Sequence, residues 1–155
     1  KSDSSQVRVI QAIDCEIVTN SFSAPAKMKD GLALADTEKD ILKIAVLNRY
    51  ATVKPSIAFI NGFGLSSGAI ASCVGHDSHN IIIVGVEGEA MSRAANLIIE
   101  NHGGISAVFQ DQHRVLPLPV AGIMTTEDGY TVAKKYAAID HFVKYGTFSD
   151  TPIKA

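Results

Sequence analysis

A chain of 155 residues with 46% hydrophobic and 19% charged residues can build one packed domain and is too apolar to be a disordered tail. Its net charge of −2 comes from scattered residues, so no basic stripe offers itself to nucleic acid. No apolar run reaches the roughly 18–20 residues of a membrane-spanning helix, and residues 1–5 lack a basic-then-apolar leader pattern.

In chain order, residues 7–13 alternate apolar and polar side chains as a strand does, and residues 16–22 read as its hairpin partner, with Asp14 and Cys15 at the turn. Asp30-Gly31 is a turn signal. Thr37 and Asp40 have the spacing of a helix cap, but residues 41–47 are short and rich in β-branched side chains, so a strand is expected there and a helix stays the alternative. Residues 56–60 read as a buried strand, and Gly62-Phe63-Gly64 as a turn. Residues 68–74 and 81–86 are nearly continuous apolar runs, which predicts strands buried on both faces at the centre of the sheet.

Residues 87–102 carry the clearest helical period, with Met91, Ala94, Ala95, Ile98 and Ile99 on one face and Gly103-Gly104 at the end. Residues 105–109 and 115–118 predict a hairpin around 111–114, its second strand set at a sheet edge by Pro117 and Pro119. A second helix starts near Thr125 or Thr126, buries Val132, Tyr136, Ile139 and Val143, and stops at Gly146. Together these elements predict a single α+β domain over residues 1–155, with a mixed, mostly antiparallel sheet and two main helices. Cys15 and Cys73 lie beside apolar residues and no CxxC occurs. Two buried free thiols in a reducing, cytoplasmic setting are expected.

The chemistry is concentrated between the two central strands. His76, Asp77, Ser78, His79 and Asn80 are consecutive, and a loop held by two strands is a rigid place for reactive groups. The imidazoles could face a metal, or one could relay protons while Asp77 orients it. The plainer alternative is equally open: Asp, Ser and Asn form turns, and the histidines could cap strand ends. Two histidines leave a catalytic zinc site one protein ligand short. His102, His113 and His141 read as solvated side chains on a helix end, a hairpin turn and a helix. Residues 62–68 fail the dinucleotide fingerprint, because the third Gly falls one place late and a strand follows. No His-x-Glu with Pro-Cys-x-x-Cys is present, which excludes a small zinc deaminase of the cytidine type. The length also excludes a (β/α)₈ barrel, which needs roughly 200 residues or more.

Gly62-Phe63-Gly64-Leu65, Gly68-Ala69-Ile70-Ala71, the string from His76 to Asn80, the run 81–85, Gly103-Gly104 and the stretch from Leu116 to Gly122 closely resemble the C-terminal domain of adenine deaminase, a family of the amidohydrolase superfamily. The resemblance is densest over residues 41–124. It implies a part in converting adenine and water to hypoxanthine and ammonia, with manganese or iron held by a preceding barrel domain and not by this chain. The density of polar side chains that no core needs points to the 76–80 loop reaching the active-site mouth, so catalytic roles are expected for His76, Asp77 and His79, substrate contacts for Phe63, Ser78 and Asn80, and no metal ligand here. Adenine, a barrel domain of the same enzyme and a homo-oligomer are the expected partners, and the isolated chain is expected to be inactive. Within the pattern, Cys73 and Gly75 stand where Ser and Ala are expected, and residues 146–155 where an apolar, Leu/Pro-rich segment is expected. Two rival readings remain: a non-catalytic assembly or regulatory domain, and a free-standing metal-dependent hydrolase completed across an oligomer interface.

Overall fold

The computed structural model describes residues 6–146. The residues that end the chain, including most of 146–155, lie outside that range. Ten strands and two helices form one α+β unit. The strands are β1 (Gln6–Ala12), β2 (Thr19–Pro25), β3 (Lys27–Lys29), β4 (Leu32–Leu34), β5 (Ile41–Leu47), β6 (Ser56–Asn61), β7 (Ala69–Ser72), β8 (Ile81–Gly85), β9 (Gly104–Phe109) and β10 (Gln112–Pro117). The helices are α1 (Gly88–Glu100) and α2 (Gly129–Gly146).

Eight strands make one sheet in the order β10-β9-β7-β8-β5-β6-β1-β2, and β3 and β4 form a separate hairpin. Among the described residues β1 and β6 are the one parallel pair, and every other pairing is antiparallel. The sheet is thus mixed and mostly antiparallel, as the sequence predicts. The apolar run of β8 lies at its centre beside β5, and β10, carrying Pro117, forms one edge.

Alternation along β9 puts the two helices on opposite faces. Ser106 and Val108 face α1, where the Ser106 hydroxyl donates to the Ala94 carbonyl oxygen at 2.8 Å. Ile105, Ala107 and Phe109 face the core beneath α2. On α1 the buried stripe is Met91, Ala94, Ala95 and Ile98. Full burial of a side chain such as Ile98 contributes about 1.5–3 kcal/mol. On α2 it is Ile139, Phe142 and Val143, with Val132 and Tyr136 partly buried against the same core.

Several local expectations change. The strand opposite β1 starts at Thr19, three residues late, so Ile17 and Val18 lie in an exposed loop. Cys15 is exposed there, and only Cys73 is buried. Ile57 is 72% exposed, because among the described residues no element packs over the first half of β6. Ile99 is 53% exposed, one position off the buried stripe of α1. The turn between β9 and β10 is Gln110-Asp111, so His113 and Arg114 lie within β10. The second helix begins at Gly129, where Asp128 Oδ1 accepts the amides of Tyr130 at 3.0 Å and Thr131 at 3.1 Å. Thr37–Lys39 forms a single 3-10 turn and β5 is a strand, which resolves that alternative.

Candidate functional site

β7 and β8 are antiparallel neighbours, with Ser72 opposite Ile82. The chain between them must reverse direction at one end of the sheet, and the 76–80 loop is that reversal. Its turns are closed by backbone bonds from the Ser78 amide to the His76 oxygen at 3.0 Å and from the His79 amide to the Gly75 oxygen at 3.1 Å. Asp77 (φ 68°) and His79 (φ 49°) both take left-handed backbone, which is costly for residues with a side chain.

The neighbouring strand fixes this conformation. β5 ends at Leu47 opposite Ile81, and the next residues turn under the loop. The Asn48 side chain accepts the amides of Tyr50 at 2.7 Å and Ala51 at 3.1 Å. Arg49 and Tyr50 are thereby aimed at the loop. Arg49 Nη1 donates to the His79 carbonyl at 3.2 Å, and the Arg49 amide donates to Asn80 Oδ1 at 3.3 Å. The Tyr50 hydroxyl donates to the Ser78 carbonyl at 3.1 Å. Arg49 also reaches the segment after β10, where both Nη1 and Nη2 donate to the Ala121 oxygen at 3.3 Å.

The side chains at the top of the loop point outward. His76 is 96% and Asp77 88% exposed, with His76 Nδ1 2.9 Å from Asp77 Oδ1. That pairing occupies Nδ1 and leaves Nε2 of His76 facing solvent. His79 is only partly exposed, and its Nδ1 is buried with no hydrogen-bond partner. Ser78 is exposed, its hydroxyl accepting the Asn80 amide at 3.4 Å. Tyr50, Val53, Val74, Val120 and Met124 lie at this same end of the sheet, and each is at least 42% exposed.

Five of the six expected site residues therefore share one loop, and Phe63 does not join them. β6 runs from Ser56, opposite Val46, to Asn61, opposite Ile41. The turn carrying Phe63 consequently lies at the far end of the sheet, roughly one five-residue strand or about 17 Å away. There Phe63 packs half-buried against the core. The Asp40 carboxylate holds its turn by accepting the amides of Gly62 and Gly64, each at 2.7 Å.

Among the described residues no three His, Cys, Asp or Glu side chains converge as a metal site. The Asp77 contact leaves His76 Nε2 free, but no third donor converges with it among the described residues, so this donor set is incomplete for a resident manganese or iron ion. Nor is any described helix long and apolar enough to cross a membrane.

Sequence reasoning missed Arg49 and Tyr50. A single Arg after a strand carries no sign of its partners when one lies 30 positions away and another 72. The Asn48 turn was the only local hint.

Residues 16–155 match the family described as adenine deaminase C-terminal domain. Proteins named adenine deaminase from Methanothermobacter thermautotrophicus, Salinibacter ruber and a Sulfurovum species are 44%, 42% and 46% identical to the chain over 144, 150 and 136 residues. These stretches cover 93%, 95% and 88% of this chain but 27%, 27% and 24% of the relatives. The chain thus spans about a quarter of their length.

Proposed function

The chain belongs to the family of adenine deaminase C-terminal domains, and from that premise we propose that it presents the 76–80 loop to the active-site mouth of an adenine deaminase. The overall reaction is adenine plus water to hypoxanthine plus ammonia, a step of purine salvage in the cytoplasm. The observation that carries this reading is an imbalance in the loop. Its backbone is held by Arg49 and Tyr50, while its two reactive side chains, His76 and Asp77, are almost wholly exposed. A fixed backbone with its chemistry facing outward suits a second surface that completes the site.

In this reading Asp77 orients His76 through Nδ1, so that Nε2 can carry a proton to or from the purine or its leaving ammonia. His79 supplies the second imidazole, and the exposed Ser78 hydroxyl and the Asn80 carboxamide contact the purine edge. Phe63 has no part, since it sits at the other end of the sheet. Manganese or iron belongs to the barrel domain that makes up the remainder of the enzyme. The exposed apolar side chains around the loop, Val74, Val120 and Met124 among them, suit docking against that domain. The working enzyme is a homo-oligomer of such two-domain chains.

The test is adenine deamination by a full-length enzyme carrying this domain. His76→Ala and His79→Ala should each lower kcat by about 10²-fold or more, with unchanged far-UV circular dichroism and melting temperature. Kinetics unchanged in both variants would leave the loop structural and favour the assembly-domain reading. The chain alone should turn over no adenine, and adding a separately expressed barrel should restore turnover. Metal-dependent activity of the lone chain would instead support a free-standing hydrolase.

A further inference from the structure

We infer that Arg49 is the positioning residue of the 76–80 loop: its guanidinium clamps the His79 carbonyl to the Ala121–Gly122 segment and so sets where the histidines point. This rests on the reading above only for what the loop does; the clamp itself rests on geometry. The guanidinium is a planar fork of five donors. Here Nη1 is shared between the His79 and Ala121 oxygens, Nη2 goes to Ala121, and the backbone amide of the same residue takes Asn80 Oδ1. Those carbonyl contacts take up N–H groups of Nη1 and Nη2 that a free anion would need, which argues for a structural clamp over an anion receptor.

Two further contacts make the position specific. The guanidinium lies directly against Gly122, since a Cβ there would collide with Cζ, Nη1 and Nη2 of Arg49. Gly122 also has φ +84°, in the left-handed region. In turn Gly122 packs on Gly103, which follows the last turn of α1, and its carbonyl accepts the Cys73 thiol at 2.8 Å. The platform beneath Arg49 is therefore anchored to a helix end and to the strand that leads into the loop. Above it, Asp77 and His79 hold left-handed backbone that relaxes unless neighbours over-determine it. Arg49 makes two of those restraining contacts and Tyr50, whose ring centroid lies 5.9 Å from Arg49 Cζ, makes a third.

Lysine cannot replace this group fully. Its ammonium is a single point donor and cannot reproduce the planar fork that bonds the His79 and Ala121 carbonyls from two nitrogens at once. Site-resolved hydrogen exchange on the 155-residue chain tests the clamp directly. In Arg49→Gln the amides of His79 and Asn80 should exchange about tenfold faster or more, those of α1 and β8 should keep their rates, and Arg49→Lys should fall between. Loop amides unchanged in Arg49→Gln would overturn the proposal. Uniform acceleration across α1 and the loop in both variants would overturn it too, because Arg49 would then be a general stability residue. In the full-length enzyme, Arg49→Gln should reduce kcat more than it raises the KM for adenine, with partial rescue by Arg49→Lys. The exchange readout involves no adenine. If the His76 and His79 variants prove kinetically silent, the deamination reading fails while faster loop exchange still supports the clamp.

Discussion

The thiol of Cys73 donates to the carbonyl oxygen of Gly122 across 2.8 Å and accepts the amide of Gly104 at 3.0 Å. Cys73 is fully buried, so this is a polar joint inside the core, tying the exit of β7 to the start of β9 and to the segment under Arg49. Removing the sulfur without replacing its hydrogen-bonding capacity strands a buried donor and a buried acceptor. Cys73→Val should lower stability by about 2–4 kcal/mol, the cost of two unsatisfied groups offset in part by the retained apolar volume. Cys73→Ser keeps a donor and an acceptor at nearly the same place and should cost less than half as much. Urea unfolding of the two variants measures the difference; equal midpoints would mean that the joint contributes nothing.

The two cysteines should also separate by reactivity. Cys15 is exposed in the loop between β1 and β2, and Cys73 is enclosed. A water-soluble thiol reagent at neutral pH should modify one thiol promptly and the second only at the rate of opening. Cys15→Ser should abolish the fast phase alone. Two fast thiols would contradict the burial of Cys73.

At the other end of the sheet, Asp40 has left-handed backbone (φ 50°) and its carboxylate accepts the amides of Gly62 and Gly64. Asp40→Ala removes both charge-assisted bonds and places a residue poorly suited to that backbone, and should cost about 2 kcal/mol after allowance for partial solvent access. Asp40→Asn tolerates the backbone and keeps one acceptor, so it should cost roughly half. Because Phe63 lies in that turn and not near His76, neither variant should change adenine turnover in the full-length enzyme at a temperature where it stays folded. A loss of turnover at unchanged stability would show that this end of the sheet also meets the substrate.

The strands were readable where local composition decides them. The β-branched run of β8 needed only its own residues, that of β5 favoured a strand while leaving a helix open, and Pro117 limited β10 to an edge. Errors arose where tertiary contacts or special backbone decide. α1 ends at Glu100, and just beyond it His102 has a left-handed φ of 58° that lets the Gly103 amide reach the Ile98 oxygen, a position where glycine is the usual occupant. The β3–β4 hairpin was represented only by Asp30-Gly31, since three-residue strands carry too little alternation to count. The loop itself was legible as a cluster of consecutive polar residues. What holds it was not, because Arg49 and Ala121 are remote in sequence and meet only once β5 has paired with β8, β8 with β7 and β7 with β9.

Acid should weaken the fold through two carboxylates. Asp128 caps α2: the Thr131 hydroxyl and amide, then the Tyr130 amide, hold its carboxyl below the usual 3.8, against a smaller opposing effect of burial. For Asp36, burial pushes the carboxyl up, but the hydrogen bond from Lys39 and the charges of Lys39 and Lys27 together bring it below that value. A depressed carboxyl binds its proton more readily in the unfolded chain. Its stabilising contribution is therefore complete above the unfolded value and is lost as pH falls through the lower folded value. The melting temperature should hold steady from about pH 7 to pH 5 and then fall as the solution passes below the ordinary carboxylate range. Asp128→Asn retains an acceptor for the helix amides but cannot titrate. It should start a few degrees lower at neutral pH, from the lost charge at the helix N-terminus, and show a shallower decline in acid. Parallel acid limbs in the wild-type chain and the variant would show that Asp128 adds nothing to the pH dependence.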